Sequence, residues 1–365
     1  MLERYGHGGD LVTASDLFGI TADQFVDFSS NMNPFGPPAA VFAVMESRWR
    51  ELDRYPDPAV RGLRSKLAQR HGINVDNVLC GNGAAELIDL AIRALRPNGG
   101  VGLAVPCFGE YADAAEKYGG HIVRVPMLED DSFRLSVERV MEAALGDNRP
   151  EIWMIGSPNN PTGMTVDREL ILKLLDTEAF VVIDEAFLDF VPNEEAISLV
   201  QEAAKRPNLL VIRSMTKFYA IPGIRLGYAV GSADTIAKMR GLQTPWSVNS
   251  LAQWIGEAVL DDVEYEQRTR RWLTEERQWL SADLGKLGCK VFDSVTNYLL
   301  VKLPDECAID AAQLQQLMGQ RGVLIRDASH FAGLDGRFIR LAVKLREQNE
   351  RLIEALSACL QVRRL

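Results

Sequence analysis

The sequence is poor in the residues that build disulfide frameworks and metal centres. Its five cysteines are odd in number and contain no C-x-x-C spacing, and its four histidines are not spaced as metal ligands. The cysteines are Cys80, Cys107, Cys289, Cys307 and Cys359, and the histidines are His7, His71, His121 and His330. We therefore expect a reduced, cytoplasmic protein without a metal site.

Positive charge and long apolar runs are also scarce. The net charge of −10 and the pI of about 5.1 argue against nucleic acid and anionic membranes as partners, because neither is attracted to an acidic surface. No apolar stretch approaches the length that crosses a bilayer, and the first residues lack the apolar core of a signal peptide. A small anionic substrate stays compatible with this charge, since its site needs only a few arginines.

The chain does have ample material for a large soluble fold. With 365 residues, 47% of them hydrophobic, it exceeds one ordinary core and predicts a large domain plus a smaller one. Strand-like and helix-like runs alternate through its middle, which predicts an α/β fold with a mostly parallel sheet covered by helices on both faces. We expect an N-terminal arm over 1–38, a large α/β domain over 39–250, and an interdomain helix with a small α+β domain over 251–365.

The predicted elements follow from apolar periodicity and turn residues. The predicted strands span 75–80, 101–105, 121–126, 152–156, 180–183, 209–212, 226–230, 297–301, 323–326 and 338–343. The predicted helices span 11–18, 87–95, 111–118, 137–144, 168–175, 196–205, 233–240, 263–287, 311–320 and 348–360.

A lysine follows the aliphatic run at 209–212, which is typical of a strand buried on both faces. Burial of Lys217 among hydroxyl and aromatic side chains would disfavour its ammonium form and lower its pKa, as a Schiff-base lysine requires. Most lysines after strands are simply solvated, so the neighbouring strand ends have to support this hypothesis. Asp184 and Asn160 also follow predicted buried strands, and parallel sheets bind ligands beyond these carboxyl ends.

A glycine turn joins another strand to a helix at Gly81–Gly83. Free N–H groups and the helix dipole at such a junction favour an anion. The pattern is nearly that of a dinucleotide fold, but Glu86 stands at the third glycine position and no acid lies about twenty residues further on. We therefore predict a site for a single phosphate group. A serine acyl-enzyme built on Ser214 and Lys217 is disfavoured, because the chain lacks the Lys-Thr-Gly segment of that class.

Five segments occur in an order typical of one enzyme superfamily. They are GNGAAE at 81–86, SPNNPTG at 157–163, DEA at 184–186, SMTK at 214–217 and GIRLGY at 223–228. In this order they resemble the fold-type-I pyridoxal-phosphate enzymes of the aspartate aminotransferase superfamily, over nearly the whole chain. The resemblance implies pyridoxal 5′-phosphate as the cofactor. A non-catalytic sensor with this cofactor would normally carry a DNA-binding module, for which neither the charge nor the length leaves room.

The resemblance also implies a role for each matching residue. Lys217 would bind the cofactor aldehyde, and Asp184 would pair with the pyridine nitrogen. Asn160 would bond to the ring hydroxyl and Phe108 would stack on the ring. Tyr55 would reach the neighbouring subunit's cofactor, so the protein would be a homodimer with shared active sites. The cofactor phosphate would be held by Gly83, Ala84, Ser214 and Arg225, and the substrate α-carboxylate by Arg340.

Further segments narrow the resemblance to the histidinol-phosphate aminotransferase branch and, inside it, to the threonine-phosphate decarboxylases of cobalamin biosynthesis. These are HGGD at 7–10, DFSSNMNPFG at 27–36 and TPWSVN at 244–249. Phe187, where the aminotransferases usually carry tyrosine, supports the same choice. A decarboxylase of this kind converts L-threonine O-3-phosphate to (R)-1-amino-2-propanol O-2-phosphate. Contacts to the substrate phosphate would come from His7, Asn33 and Arg326.

Two alternatives stay open at this point. An aminotransferase for histidinol phosphate would use almost the same residues, since only the tilt of the bound substrate decides which bond breaks. Phosphoserine differs from phosphothreonine by one methyl group, a distinction worth about 1–3 kcal/mol in a pocket.

Overall fold

A computed structural model of the chain describes residues 2, 8–95 and 99–360. The strands are β1 (Val26–Asp27), β2 (Val78–Gly81), β3 (Gly100–Val105), β4 (His121–Pro126), β5 (Ile152–Gly156), β6 (Phe180–Asp184), β7 (Leu209–Ser214), β8 (Gly227–Gly231), β9 (Lys290–Val291), β10 (Tyr298–Lys302), β11 (Val323–Leu324), β12 (Arg326–Asp327) and β13 (Phe338–Ala342). The α-helices are α1 (Leu11–Phe18), α2 (Ala39–Arg48), α3 (Arg61–His71), α4 (Ala84–Leu95), α5 (Glu110–Lys117), α6 (Val137–Leu145), α7 (Arg168–Leu175), α8 (Glu194–Ile197), α9 (Val200–Ala203), α10 (Ala233–Leu242), α11 (Ser250–Val259), α12 (Val263–Lys286), α13 (Ala311–Gly319) and α14 (Arg346–Leu360).

Seven strands form the main sheet, in the order β2-β8-β7-β6-β5-β3-β4. Only β8 runs antiparallel to its neighbours, so the prediction of a mostly parallel α/β sheet is confirmed. Along β6, Val182 packs into the apolar cluster on one face, whereas Val181 and Ile183 pack into the cluster on the other. Burial on both faces explains why these strands form uninterrupted aliphatic runs in the sequence.

A second sheet is antiparallel, in the order β12-β13-β10-β9, and β1 pairs with β11 in a short parallel ribbon. The 24-residue helix α12 packs against both β9 and α14. The division of the chain at 38/39 and 250/251 stays a prediction. Among the residues that the structure describes, no helix is both long and apolar enough to span a bilayer.

The single helix predicted over 196–205 is wrong. The chain forms two four-residue helices there, α8 and α9, separated by Ser198 and Leu199. The Ser198 hydroxyl and the Leu199 N–H both donate to the buried carboxylate of Glu185, at 2.8 and 2.7 Å. The Leu199 N–H is therefore not available for the backbone hydrogen bond that a continuous helix would need.

Two other boundaries differ from the prediction for reasons of pairing. The strand predicted over 323–326 is divided between two sheets, because β11 pairs with β1 whereas β12 pairs with β13. The strand predicted over 75–80 begins only at Val78, after one 3₁₀ turn. Helix α11 was not predicted, and it is capped by the Asn249 side chain, which accepts from the Ala252 N–H at 2.8 Å.

Candidate active site

The sheet register aligns the ends of its central strands at one edge. Gly156 pairs with Asp184 across β5 and β6, and Gly81 and Ser214 both pair with Gly227. Because β8 is antiparallel, its first residue lies at the same edge as the last residues of its neighbours. The loops that carry the predicted site residues therefore meet there.

Lys217 lies in the turn that follows β7, with its side chain partly exposed. Burial and the positive charges of Arg340 and Arg225 lower the pKa of its amine from 10.5 to about 8, although Asp184 opposes this. The turn is tied down by Asn33, whose backbone N–H donates to the Lys217 carbonyl at 3.1 Å. A large fraction of the amine is thus neutral near pH 8, as a lysine that attacks an aldehyde requires.

Asp184 ends β6 with a fully enclosed carboxylate. It accepts from the Tyr111 hydroxyl at 2.8 Å and from the Ala186 N–H at 2.9 Å. Burial raises the pKa of Asp184, while these two hydrogen bonds and Lys217 act in the opposite direction. Phe108 packs edge-on against Tyr111, with ring centroids 5.7 Å apart. Tyr111 was not predicted, although its position three residues after Phe108 at the start of a helix is the signal that could have found it.

The glycine turn lies against Arg225. Gly83 has a φ of +85°, and a Cβ built there would lie 2.6 Å from Arg225 Nη2. A Cβ on Gly227 would lie 2.9 Å from the Ala84 nitrogen, so backbone and guanidinium are closely packed at the start of α4. Ser214 is buried beside them and its hydroxyl bonds to that of Thr216 at 2.9 Å. The arrangement offers N–H, hydroxyl and guanidinium donors to one anion.

Two buried arginines lie opposite each other in the second sheet. Arg326 on β12 pairs with Arg340 on β13, and both are less than a tenth exposed. The aromatic ring of Phe331 lies under both guanidinium groups, at 5.6 and 6.0 Å. Two adjacent guanidinium groups have the geometry that binds carboxylate and phosphate groups.

Arg340 connects this pair to the main sheet. It donates to Asn160 Oδ1 at 2.6 Å through Nη1 and to the Ser29 carbonyl at 2.6 Å through Nη2. Asn160 follows β5, so the predicted residues of the two sheets are in direct contact. Arg340 thus links Arg326, its partner across the second sheet, to the loops of the main sheet, where its charge also acts on Lys217.

Asn33 is committed to other bonds. Its Nδ2 donates to the Phe218 carbonyl and to Thr269 Oγ1, both at 2.9 Å, and its Oδ1 accepts from the Phe35 N–H at 3.1 Å. Asn31, two residues earlier, is buried, and its Oδ1 has no hydrogen-bond partner within the described residues. Asn31 was not predicted, and the sequence offers no signal that separates these two asparagines.

Of the two remaining predicted residues, Tyr55 is not part of this group and His7 is not described. Tyr55 lies on the outer surface, 82% exposed, with its ring 4.9 Å from that of Trp246. His7 lies outside the described residues, although Gly8 and Gly9, which follow it, pack on Ser29.

A buried ionic cluster lies next to the ends of β6 and β7. Arg213 precedes Ser214, Glu185 follows Asp184, and each is only 2% exposed. Their side chains bond at 2.8 Å, and Arg213 also donates to Glu194 at 2.6 Å. This cluster was not predicted, because its members are 19 and 28 residues apart in sequence.

Comparison with known proteins gives a family and relatives of two kinds. The model of the aminotransferase class I and II family matches residues 23–356. The chain is 36% identical to the threonine-phosphate decarboxylase of Salmonella typhimurium strain LT2 over 356 residues, 96% of this chain and 95% of that protein. It is 34% identical to the histidinol-phosphate aminotransferase of Roseiflexus castenholzii over 361 residues, 97% of this chain and 95% of that protein. The solved L-threonine-O-3-phosphate decarboxylase of Porphyromonas gingivalis superimposes with a TM-score of 0.81 at 28% identity, covering 92% of this chain and 100% of that chain. The extent of the family match and the relatives above 30% identity lead to one conclusion: this chain belongs to the family of class I and II aminotransferases.

Proposed function

We propose that this protein is a pyridoxal-phosphate-dependent decarboxylase that converts L-threonine O-3-phosphate to (R)-1-amino-2-propanol O-2-phosphate. The observation that carries the proposal is the buried pair of Arg326 and Arg340, one of which contacts a loop of the main sheet. Two adjacent guanidinium groups suit a small substrate that bears both a phosphate and a carboxylate. The identity to threonine-phosphate decarboxylases supports the same substrate. The product would serve as a precursor of the cobalamin linker.

Pyridoxal 5′-phosphate is the cofactor, and the residues present fit it. The Gly83 turn, Ala84, Ser214 and Arg225 would hold its phosphate, since the turn leaves no room for a side chain beside the guanidinium. Asp184 would face its pyridine nitrogen and Lys217 its aldehyde. Asn160 would bond to the ring hydroxyl and Phe108 would stack on the ring. When bound, the cofactor supplies the electron sink for a carbanion at the substrate Cα.

The protein's own residues would divide the remaining tasks. Asp184 would keep a proton on the pyridine nitrogen, because its buried carboxylate is held in place by Tyr111. Arg326 would anchor the substrate phosphate, with Arg340 at the carboxylate, and this remote binding would decide which bond of Cα stands perpendicular to the ring. Lys217, with a pKa of about 8, would return a proton to Cα after carbon dioxide has left.

The substrate phosphate needs further donors. His7 and Asn33 stay proposals from sequence. Asn31 is the more suitable asparagine, because its buried side-chain oxygen, Oδ1, lacks a partner among the described residues, whereas both amide hydrogens of Asn33 are used. An amide flip would turn that position into a donor.

The protein acts as a homodimer with shared active sites, in the cytoplasm. Support comes from an exposed apolar surface on and after α2, where Phe42, Met45 and Trp49 are 68, 45 and 58% exposed. Contiguous exposed apolar side chains at this spacing are typical of an interface. Tyr55, which is nearby in sequence and also exposed, would reach the partner's cofactor phosphate.

The test is release of carbon dioxide from O-phosphothreonine by the cofactor-loaded protein, with no keto acid added. Many turnovers would support the decarboxylase, and a parallel assay with O-phosphoserine would measure the contribution of the methyl group. Arg326→Gln should lose most of this activity. The control is Arg124→Gln, which deletes an exposed guanidinium on the edge strand β4 and should keep the activity. Amino transfer from histidinol phosphate to 2-oxoglutarate without carbon dioxide release would replace the proposal by the aminotransferase function of the Roseiflexus relative.

A further inference from the structure

Asn33 binds the lysine-bearing turn through both its backbone and its side chain. The backbone N–H donates to the Lys217 carbonyl at 3.1 Å, and Nδ2 donates to the next carbonyl, that of Phe218, at 2.9 Å. The second Nδ2 hydrogen bonds to Thr269 Oγ1 on α12 at 2.9 Å. Asn33 is 2% exposed and Thr269 is fully buried. One side chain thus holds the turn between the N-terminal segment and the long helix.

These bonds use both amide hydrogens of Asn33, so a bond from its side chain to a substrate anion would have to replace one of them. A side-chain amide has two hydrogens, and both are directed at protein oxygens. The remaining atom, Oδ1, is an acceptor that a phosphate would repel, and it already accepts from the Phe35 N–H. The chemistry of the contacts therefore favours a role in the protein scaffold.

We propose that Asn33 is a positioning residue for Lys217, which fixes the direction and the electrostatic environment of the amine through the backbone of its turn. The inference rests on the proposed function only in taking Lys217 as the cofactor-binding lysine. The same two carbonyls accept other bonds only at longer distances, from the Ala220 N–H to the Lys217 carbonyl at 3.3 Å and from the Tyr265 hydroxyl to the Phe218 carbonyl at 3.2 Å, among the residues that the structure describes.

The same N-terminal segment reaches the substrate arginine. Four residues before Asn33, the Ser29 carbonyl accepts from Arg340 at 2.6 Å, and the Phe28 carbonyl accepts from the Ala342 N–H at 2.9 Å. Residues 28–33 thus form a short connection from the strand of Arg340 to the turn of Lys217. Because Arg340 lowers the pKa of Lys217, the connection sets the distance on which that shift depends.

The experiment compares Asn33→Ala with Asn77→Ala. Asn77 is a matched control, because it is buried and its Nδ2 also bonds to two carbonyl oxygens, those of Ala204 and Gly231. Gly231 ends β8 at the edge of the sheet opposite the site. Two properties are measured on the cofactor-loaded proteins: the thermal midpoint and the pH dependence of the visible absorbance of the bound cofactor. A third is measured on the cofactor-free proteins: the rate at which they capture pyridoxal phosphate covalently.

Both variants should lose thermal stability, but only Asn33→Ala should move the midpoint of the absorbance titration and slow covalent capture by about ten- to a hundredfold, as misplacement of a reacting group does. If Asn33→Ala does not fold, Thr269→Val replaces it, since this change removes only the oxygen that orients Nδ2 and should act in the same direction. Wild-type titration and capture in the Asn33 variant, or in Thr269→Val, would overturn the proposal. So would a rise in KM for phosphothreonine alone, which would indicate a substrate ligand. Absence of covalent capture at Lys217 in the wild type would instead refute the proposed function.

Discussion

Replacing Lys217 by methionine should stabilise the cofactor-free protein at neutral pH. The pKa of this amine falls from 10.5 to about 8 in the folded chain, so its ammonium form is held in an unfavourable environment at pH 7. Methionine has a similar shape without the charge. The free energy of unfolding should therefore increase, while the covalent link to the cofactor is lost. Active-site groups are often selected for activity at the expense of stability.

The size of the gain follows from the shift in pKa. From 10.5 to about 8 is about two and a half pH units, each worth about 1.4 kcal/mol, which gives an upper limit of about 3 kcal/mol. Contact of the side chain with water screens part of this, so we expect about 1–3 kcal/mol. At the average unfolding entropy per residue, the thermal midpoint of a chain of this length would rise by about 1–4 °C.

The pH dependence distinguishes this cause from improved packing. A lysine whose folded pKa is lowered destabilises the protein fully below the folded value, and the penalty disappears as the pH rises towards the unfolded value. The advantage of Lys217→Met should therefore be constant below pH 8, shrink between pH 8 and 10.5, and be absent above. Urea unfolding of the cofactor-free proteins at pH 7 and pH 10 measures it, with the exposed Lys173→Met on α7 as the control. An equal advantage at both pH values, or a less stable variant at pH 7, would refute the reasoning.

Three other changes test the remaining parts of the site. Arg340→Lys should raise KM for O-phosphothreonine at least about tenfold in steady-state assays, since a lysine cannot make the two directed bonds of the guanidinium; an unchanged KM would contradict its place in the substrate site. Gly83→Ala should weaken pyridoxal phosphate binding in a titration of the cofactor-free protein. The control is Gly36→Ala, also at a left-handed φ but with open space around it, which should destabilise the protein without weakening binding. Equal affinities of the two variants would exclude the Gly83 turn as the binding site of the cofactor phosphate. Glu185→Ala should cost about 3 kcal/mol or more in urea unfolding, because it leaves a fully buried guanidinium without one of its carboxylates; a loss under about 1 kcal/mol would indicate that the other acids compensate.

The central sheet could be predicted from the sequence because its strands are buried on both faces and therefore form uninterrupted aliphatic runs. That Asp184, Asn160 and Lys217 lie at one edge of the sheet followed from the predicted topology, since parallel strands end at one edge, whereas their roles were implied by the family resemblance. The helix predicted over 196–205 failed for a reason outside the helix itself: the carboxylate of Glu185, 13 and 14 residues earlier, binds the Ser198 hydroxyl and the Leu199 N–H. Local periodicity contains no information about such a partner.

The hydrogen bonds that support the site could not be predicted from the sequence, for the same reason. Tyr111 and Asp184 are 73 residues apart, and Asn33 bonds to a carbonyl 185 residues away. A motif identifies a residue type at a position, but the atoms that its side chain faces depend on how distant segments pack. Asn33 illustrates this: similarity to a family suggested a substrate ligand, which stays a prediction, and no motif indicated that its two amide hydrogens bond to the Phe218 carbonyl and to Thr269.

The effect of Arg225 and Arg340 on the pKa of Lys217 should change when ligands bind to these two arginines. In the free protein, burial and the charges of Arg340 and Arg225 lower the pKa of the amine, which favours the neutral form that would attack the cofactor. A cofactor phosphate on Arg225 and a substrate anion on Arg340 would each neutralise one of these charges, so the pKa of Lys217 should rise as the site fills. The amine would then retain a proton when Cα requires one. On the proposed function, the same arginines would account for a lysine that is a nucleophile in the free protein and a proton donor in the complex.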